Sequence, residues 1–255
     1  MKNAVLITGS TGGIGQELCR VFAGHGYNVV LVSRDEKRLN ALARELEDEF
    51  KIKTYVIVKN LSNEESANEI FDEIKKQKIE VKILCNNAGA GLFGEFLDGD
   101  LEKNKQIIGV NISCLVSLCH LFGNEMKKKG GGKILNIASI GAFFSGPLVS
   151  TYFASKAFVL SFSEALALEL KPFNISVCAV CPGTTKTAFF EKAGSRLQNK
   201  ATDPKKVALF AYKKLMKGKA VAIYGVKNKL AVFFGKFLPR KRQAKMSYNI
   251  QKKRK

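Results

Sequence analysis

The chain has 255 residues, of which 46% are hydrophobic and 25% are charged, and its formal net charge is +20. This length and composition are those of an ordinary globular protein with one sizeable core, and they exclude a disordered or fibrous chain. We find no apolar run that approaches the ~20 residues needed to span a membrane. Residues 1–3 lead directly into an apolar segment, so we expect no secretory leader and no N-terminal anchor.

The positive charge is concentrated at the end of the chain. From Lys200 onward, 18 basic residues stand against one acid, Asp203, whereas the preceding residues carry 24 bases and 21 acids. The body of the chain is therefore nearly neutral, and the basic character belongs to the C-terminal segment. No groove-reading motif accompanies these charges, so we expect no specific nucleic-acid partner, and any such binding would be non-specific and salt-dependent.

The six cysteines are scattered along the chain, which favours reduced cytoplasmic thiols over disulfides. Cys178 and Cys181 have the spacing of a redox or metal-binding pair. They lie in an apolar, strand-like run, however, where residues three apart point to opposite faces of a sheet. We therefore predict neither a metal site nor a redox pair.

The first predicted elements form an anion site. Residues 4–7 are a short apolar run, typical of a strand buried on both faces of a parallel sheet. The glycine-rich stretch 8–15 follows and opens a helix that continues to Phe22. Glycine permits positive φ and close approach, while the first N–H groups and the dipole of a helix attract a pyrophosphate. We predict a dinucleotide phosphate site, with a plain tight turn as the alternative.

The second apolar run, 28–32, ends at Ser33 and Arg34. In dinucleotide folds an acid near this point binds the ribose 2′-hydroxyl, whereas an Arg holds a 2′-phosphate. Ser33 and Arg34 therefore favour NADP(H) over NAD, with a solvated Arg beside a helix start as the alternative. Asp35 is predicted to start the next helix as its cap.

Further strands are predicted at 55–58, 81–85, 133–137, 176–180 and 221–224, with helices between them. Residues 101–129 are predicted to be mostly one long helix, which carries Asn111 between apolar neighbours. A buried Asn there needs its hydrogen bonds satisfied. His120, on the same helix, is expected to be packed or exposed and not catalytic. Pro172 is expected to end one helix and Pro204 to open another.

Three polar side chains mark a candidate catalytic site. Ser139 follows the fifth strand, and open α/β sheets place their ligands at the carboxyl ends of strands. Tyr152 and Lys156 are four apart on the next helix and share one face. A phenol, with a usual pKa near ~10, is a poor acid or base at neutral pH until an ammonium beside it favours the phenolate. Such a pair also occurs by chance, so the surrounding site decides its meaning.

Several spaced motifs resemble those of the short-chain dehydrogenase/reductase family, up to about residue 224. Thr8-Gly9-x-x-x-Gly13-x-Gly15 is similar to the family's cofactor loop, Asn86-Asn87-Ala88-Gly89 to its sheet motif, and Pro182-Gly183-x-x-x-Thr187 to its nicotinamide-side motif. The resemblance implies an α/β fold: a single Rossmann-type doubly wound domain over 1–226, with a seven-stranded parallel sheet and helices on both faces. Residues 227–255 would form a basic amphipathic extension.

The resemblance also implies an NADP(H)-dependent oxidoreductase that reduces a carbonyl or oxidises an alcohol, with a catalytic tetrad. Tyr152 would exchange a proton with the substrate oxygen, and Lys156 would bond the nicotinamide ribose and lower the pKa of Tyr152. Ser139 would polarise the carbonyl, and Asn111 would fix a water in a proton relay.

The cofactor contacts follow from the matching motifs. They are Gly9, Ser10, Gly13, Ile14, Gly15, Ser33, Arg34, Asn60, Leu61, Asn87, Ala88, Gly89, Tyr152, Lys156, Pro182, Gly183 and Thr187. Many family members have Asp where this chain has Asn60, so we expect the adenine contact to be weakened but not lost.

The substrate is expected to be hydrophobic. Six aromatic residues gather where the family's substrate loops lie: Phe93, Phe96, Phe143, Phe144, Phe189 and Phe190. About half should belong to the core. The remainder would line an apolar pocket for a 3-ketoacyl, steroid-like or other apolar ketone.

The C-terminal segment has three open interpretations. Leu230, Phe233, Phe234, Phe237 and Leu238 recur at helical spacing between basic residues. Such a segment lies on an anionic membrane, folds over the substrate pocket, or meets a second subunit, with 251–255 solvated. We expect a cytoplasmic homodimer or homotetramer, with peripheral membrane contact through 227–255 left open. The competing functions are a catalytically idle NADP-binding regulator and a protein that acts mainly through its basic tail.

Overall fold

The structure is a computed structural model, and it describes residues 3–195 and 201–253. Seven parallel strands form one sheet in the order β3-β2-β1-β4-β5-β6-β7. The strands are β1 Ala4–Thr8, β2 Asn28–Ser33, β3 Thr54–Val58, β4 Val81–Asn86, β5 Gly132–Ile137, β6 Ile175–Cys181 and β7 Val221–Ile223. Every strand begins and ends within one residue of its predicted bounds, because the buried strands of a parallel sheet are continuously apolar.

Helices connect the strands and cover both faces of the sheet. They are α1 Gly13–Ala23, α2 Glu36–Phe50, α3 Ser66–Lys76, α4 Leu101–Ile108, α5 Cys114–Lys128, α6 Ser150–Glu169, α7 Phe189–Lys192, α8 Pro204–Met216, α9 Val226–Gly235 and α10 Arg240–Lys252. One face packs against α1, α2 and α8, and the other against α3, α5 and α6. The predicted doubly wound α/β fold is confirmed.

The helix predicted over 101–129 contains an irregular turn. A π-helical turn, Gly109–Ser113, separates α4 from α5 and carries Asn111. By length and composition the whole helix, Leu101–Lys128, could cross a membrane, so the expectation that no apolar segment approaches that length is wrong. Phe122 and Met126 of this helix are buried in the core beside the sheet, which is the ordinary use of an apolar helix in a globular protein.

The cysteines and the predicted helix starts agree with the sequence analysis. Cys178 and Cys181 belong to hydrophobic clusters on opposite faces of the sheet, and all six cysteines are buried free thiols. The Asp35 carboxylate accepts a hydrogen bond from the Arg38 N–H at 3.1 Å, and Asp203 accepts one from the Lys205 N–H at 2.9 Å. Asp35 therefore caps the helix that it was predicted to start, and Asp203 caps the helix that Pro204 was predicted to open.

The strand order reverses between β1 and β4, and a crevice opens there at the carboxyl edge of the sheet. The two last helices lie at the same edge. A Cβ built on Gly235 of α9 would lie 2.6 Å from Phe144 Cε1, so α9 packs closely on the segment after β5. The Gln243 amide of α10 donates to the Leu238 carbonyl at 3.0 Å. The C-terminal segment thus folds back over the edge where ligands bind.

Candidate active site

One cleft of about 1220 Å³ follows the carboxyl edge of the sheet. Arg34 lines one end, the glycine-rich turn after β1 lines the middle, and Tyr152 lies beyond it. Most predicted cofactor residues line this cleft. Of the predicted cofactor and catalytic residues, two do not: Ser10 and Asn111.

Backbone geometry fixes the middle of the cleft. Gly9 has φ +67°, and a Cβ there would lie 2.9 Å from Ala88 Cα. The Asn87 side-chain amide donates to the Thr8 and Gly9 carbonyls at 3.0 and 3.2 Å, and the Thr8 hydroxyl accepts from the Asn87 and Ala88 N–H groups at 3.1 and 3.0 Å. The turns after β1 and β4 are therefore locked together, and only glycine fits at position 9.

The first turn of α1 fits an anionic cofactor group. Its N-cap, Gly12, makes no side-chain capping bond, and Gly13, Ile14 and Gly15 line the cleft. The first N–H groups of an uncapped helix need an external acceptor, and the helix dipole favours a negative one. A pyrophosphate would supply both the acceptors and the charge.

Ser10 is a correction to the predicted cofactor contacts. It is fully buried beneath the turn, where its hydroxyl donates to the Ile7 carbonyl at 2.6 Å and accepts from the Val32 N–H at 2.9 Å. These bonds satisfy backbone polar groups near the ends of β1 and β2. They also direct the side chain away from the cleft. The backbone motif predicted a residue near the phosphate but could not give the direction of its side chain.

The end of the cleft beside β2 has two arginines. Ser33 and Arg34 line it as predicted, and the Ser33 hydroxyl is 2.8 Å from the Thr11 hydroxyl. Arg38 also lines it, and its guanidinium donates to the Thr11 carbonyl at 2.8 Å. Arg38 was not among the residues predicted from the sequence. Arg34 precedes α2 and Arg38 lies in its first turn, so helical spacing does not link the two residues.

The adenine side is formed by the turn after β3. Asn60 and Leu61 line the cleft, and Leu61 is buried. The Asn60 side-chain oxygen accepts bonds from Ser62, from its N–H at 3.3 Å and from its hydroxyl at 3.0 Å. Asn60 therefore stabilises its own turn through local hydrogen bonds, as short polar side chains commonly do.

Tyr152, Lys156 and Ser139 meet at the far end of the cleft. The Lys156 ammonium lies 5.9 Å from the centre of the Tyr152 ring and donates to the Ile137 carbonyl at 2.8 Å. Lys156 is only 4% exposed, and this burial lowers the pKa of its ammonium from 10.5 to about 8. The Ser139 hydroxyl accepts from the Gly141 N–H at 3.0 Å, which orients it and leaves its hydrogen able to donate.

Asn111 supports this end from below without lining the cleft. Its amide oxygen accepts from the Ala90 N–H at 2.9 Å, and its nitrogen donates to the Ala90 carbonyl at 3.0 Å and to the Ser155 hydroxyl at 2.9 Å. A Cβ on Gly89 would lie 3.4 Å from the Lys156 nitrogen and 3.6 Å from the Asn111 oxygen. Asn111 thus ties α6 to the turn after β4, and its role in a proton relay stays a prediction.

The nicotinamide-side motif closes over the glycine turn. Pro182, Gly183 and Thr187 line the cleft, and a Cβ on Gly13 would lie 2.6 Å from Thr187 Cγ2. A Cβ on Gly183 would lie 2.6 Å from the Asn228 side-chain nitrogen of α9. The motif is therefore held between α1 and the C-terminal helices.

Beyond Tyr152 the cleft is apolar. Phe93, Phe144, Phe189 and Phe190 line it, and the Phe189 ring lies 5.0 Å from the Tyr152 ring. Phe143 packs against the core instead, and Phe96 is 60% exposed.

The C-terminal helices complete the apolar end. From α9 and the following turn come Phe234 and Leu238, and from α10 come Met246 and Ile250. Three polar residues at helical spacing also face the cleft from α10: Gln243, Ser247 and Gln251. Gln251 is only 5% exposed, so the interpretation that left 251–255 solvated is wrong at this position. Their spacing places them on one face of α10, but the spacing alone does not indicate that this face is buried.

The comparisons with known proteins agree with this geometry. The family model described as short chain dehydrogenase matches residues 3–198. Sulfoacetaldehyde reductase 2 of Chromohalobacter salexigens is 35% identical over 191 residues, which are 74% of this chain and 75% of that protein. The chain matches only 32% of a longer relative, the probable oxidoreductase EphD of Mycobacterium tuberculosis, at 31% identity.

Two solved structures are similar over almost the whole chain. A short-chain dehydrogenase from Sphingobium yanoikuyae in complex with NADPH has 31% identity and a TM-score of 0.84, covering 92% of this chain and 93% of that one. A 7β-hydroxysteroid dehydrogenase structure has 27% identity and a TM-score of 0.87, covering 96% of both chains. The chain therefore belongs to the short-chain dehydrogenase family and is an oxidoreductase acting on carbonyl or alcohol groups.

Proposed function

We propose that this chain is an NADP(H)-dependent carbonyl reductase for an apolar substrate. The observation that carries the proposal is the single cleft that joins Arg34 and Arg38 to Tyr152 and then to an aromatic-lined end. A cofactor lying along the first part would reach the polar side chains at the junction. A hydrophobic carbonyl compound would fill the second part.

The two arginines support NADP(H) as the cofactor. Arg34 and Arg38 both line the end of the cleft beside β2, and the Ser33 hydroxyl lies 2.8 Å from the Thr11 hydroxyl of the glycine turn. Guanidinium groups bind phosphate by charge-assisted hydrogen bonds, whereas a ribose 2′-hydroxyl is usually bound by an acid. The NADPH complex of the similar Sphingobium enzyme supports the same choice.

The residues at the junction would carry out carbonyl reduction as follows. A nicotinamide cofactor, held by the glycine turn and the nicotinamide-side motif, would supply a hydride to the carbonyl carbon. Tyr152 donates its phenolic proton to the carbonyl oxygen, and the Lys156 ammonium stabilises the phenolate that remains. The Ser139 hydroxyl donates a hydrogen bond to the same oxygen while that oxygen gains negative charge. Asn111 holds the turn that lies against Lys156 in place.

The apolar end supports a ketone with a hydrophobic body, such as a 3-ketoacyl or steroid-like compound. Its lining comes from α7, α9, α10 and the segments after β4 and β5. The similar 7β-hydroxysteroid dehydrogenase supports the steroid-like choice.

The proposal includes a cytoplasmic location, peripheral membrane contact through 227–255, and a homodimer or homotetramer. Six buried free thiols suit a reducing compartment. An exposed aromatic residue on α6, Phe158 at 39%, suits a subunit contact.

The test is a comparison of NADPH and NADH oxidation with fatty ketones, 3-ketoacyl thioesters, steroids, quinones and a ketose. We expect turnover with at least one apolar class, a preference for NADPH, and little activity with the ketose. The Tyr152→Phe variant serves as the blank. NADPH binding without turnover on any carbonyl compound would favour the idle-regulator alternative, and a preference for NADH would contradict the cofactor assignment.

A further inference from the structure

Four apolar residues form an exposed row on α9 and the turn after it. They recur at i, i+4, i+7 and i+11, the spacing that places side chains on one side of a helix. We call them the apolar stripe: Val226, Leu230, Phe233 and Phe237. Their side chains are between 50% and 73% exposed. Val232 and Gly235 on the opposite side are buried, so α9 is docked through one face and presents the other to its surroundings.

Basic residues flank the apolar stripe along the chain. They are Lys227, Lys229, Lys236, Arg240, Lys241 and Arg242. No acid occurs after Asp203 in the sequence. Among the residues that the structure describes, none of the ion pairs involves these six bases. Their charge is therefore uncompensated around an apolar surface.

This combination fits an anionic membrane better than a second copy of the chain. In a two-fold symmetric contact the patch would face itself, so that like charges would be brought together. A membrane containing anionic lipid offers acyl chains to the apolar stripe and negative headgroups to the bases. We infer that the apolar stripe inserts into an anionic membrane, and that the apolar substrate passes from the lipid directly into the cleft.

The path from the lipid to the cleft is continuous. The Phe233 ring of the apolar stripe contacts the Phe234 ring, with 5.4 Å between their centres. Phe234 is 61% exposed and also lines the cleft, as does Leu238 on the following turn. An apolar molecule would therefore meet aromatic surface from the membrane to the neighbourhood of Tyr152. This part of the inference rests on the proposed function, because it assumes an apolar carbonyl substrate.

Sedimentation of the full chain with vesicles tests the membrane contact. The probes are phosphatidylcholine vesicles with and without roughly a third phosphatidylserine. We expect the protein to sediment with the anionic vesicles only, and to dissociate as salt screens the headgroups. The double variant Phe233→Ser/Phe237→Ser should bind at least about tenfold more weakly, because it removes two aromatic side chains from the lipid. Neither residue lines the cleft.

Two matched controls separate this surface from general effects. Leu168→Ser removes an apolar residue that is 76% exposed at the end of α6, on the opposite edge of the sheet, and should bind like the wild type. Replacing Arg240, Lys241 and Arg242 by Gln should weaken binding about tenfold or more, since each base near the surface contributes. The same change at three bases near the end of α8, which leads to that opposite edge, should have a smaller effect: Lys213 on α8, and Lys217 and Lys219 in the turn after it.

Three results would overturn the membrane contact. The wild type could fail to sediment with anionic vesicles, or the Phe233→Ser/Phe237→Ser variant could sediment as the wild type does. A change in the oligomeric state of that double variant, with unchanged vesicle binding, would make the apolar stripe a subunit contact.

Access from the lipid has its own readout. We compare a long-chain ketone dissolved in anionic vesicles with a short, water-soluble ketone. The Phe233→Ser/Phe237→Ser variant should keep the wild-type rate on the soluble ketone and lose roughly tenfold on the vesicle-held one. Equal losses on both ketones would overturn direct access. If the wild type reduces neither ketone, the proposed function fails, while the sedimentation result still decides the membrane contact.

Discussion

The two ends of the cleft are built in different ways. At the cofactor end, backbone groups and glycines fix the geometry, and Asn87 and Thr8 lock two turns together through four hydrogen bonds. At the substrate end, side chains from α9 and α10 cover the cleft, and much of their apolar surface is exposed. At Gly9 of the first end a larger residue would clash with the turn after β4, whereas the lining of the second end comes from side chains outside the sheet.

This difference separates what the family shares from what belongs to this chain. The family model ends at residue 198, before α8, so it includes the turns that form the cofactor end and excludes the C-terminal helices. Tyr152 therefore lies within the part of the chain that the family model covers, whereas α9 and α10, which line the apolar end of the cleft, lie outside it. Fold alone does not assign that compound.

The largest effect is expected from a substitution at the cofactor end, where the backbone leaves no room for a new side chain. Gly9→Ala and Gly26→Ala both place a side chain at positive φ, +67° and +77°, but only at Gly9 would the new Cβ meet another backbone, 2.9 Å from Ala88 Cα. We expect Gly26→Ala to lower the free energy of unfolding by about 1 kcal/mol and to keep NADPH binding. Gly9→Ala should lose binding below detection by fluorescence titration. Wild-type affinity in Gly9→Ala would show that this end can adapt.

The rate of reduction should depend on pH through Lys156, which lies where the two ends of the cleft meet. In the proposed reaction the Lys156 ammonium stabilises the Tyr152 phenolate, and burial lowers the pKa of that ammonium to about 8. The protonated form is the active one, so kcat/KM for reduction should be constant below this pH and fall about tenfold per unit above it. In Lys156→Arg the charge persists, so the decline should begin at higher pH. If kcat/KM begins to fall at the same pH in Lys156→Arg as in the wild type, the titrating group is another residue.

Cofactor choice should depend on the arginines beside β2. Arg34→Ala and Arg38→Ala should each raise KM for NADPH about tenfold, because each removes a charge-assisted phosphate contact, and should leave KM for NADH unchanged. Arg44→Ala provides the control, since Arg44 is exposed on α2, the helix that carries Arg38, and lies outside the cleft. Parallel changes in both KM values would contradict the 2′-phosphate assignment.

The smallest effect is expected in the C-terminal segment, where KM should separate two aromatic residues that are three positions apart. Phe234 and Phe237 are 61% and 73% exposed, but only Phe234 lines the cleft. Without vesicles, Phe234→Ala should raise KM for an apolar ketone by about fivefold through lost apolar contact, and Phe237→Ala should leave it unchanged. Equal KM values for both variants would mean that α9 does not contribute to substrate binding.

The sequence predicted the cofactor end better than the substrate end for a physical reason. Buried strands, glycine turns and a Tyr and Lys four apart have local signals, and the structure brings Ser139, Tyr152 and Lys156 together as those signals require. Side-chain direction has no such signal: Ser10 turns inward, and Arg38 reaches the cleft from the next helix turn. The burial of Gln251 depends on contacts with distant segments, which no local pattern encodes.

The most direct test of the account is turnover by Tyr152→Phe with NADPH and the best apolar ketone from the screen. The variant keeps the ring that packs against Phe189 and removes only the hydroxyl that donates the proton. We predict unchanged NADPH affinity and a loss of kcat of about a thousandfold, within the usual contribution of general acid catalysis. Wild-type turnover in this variant would contradict the assignment of Tyr152 as the acid and, with it, the proposed reaction at this cleft.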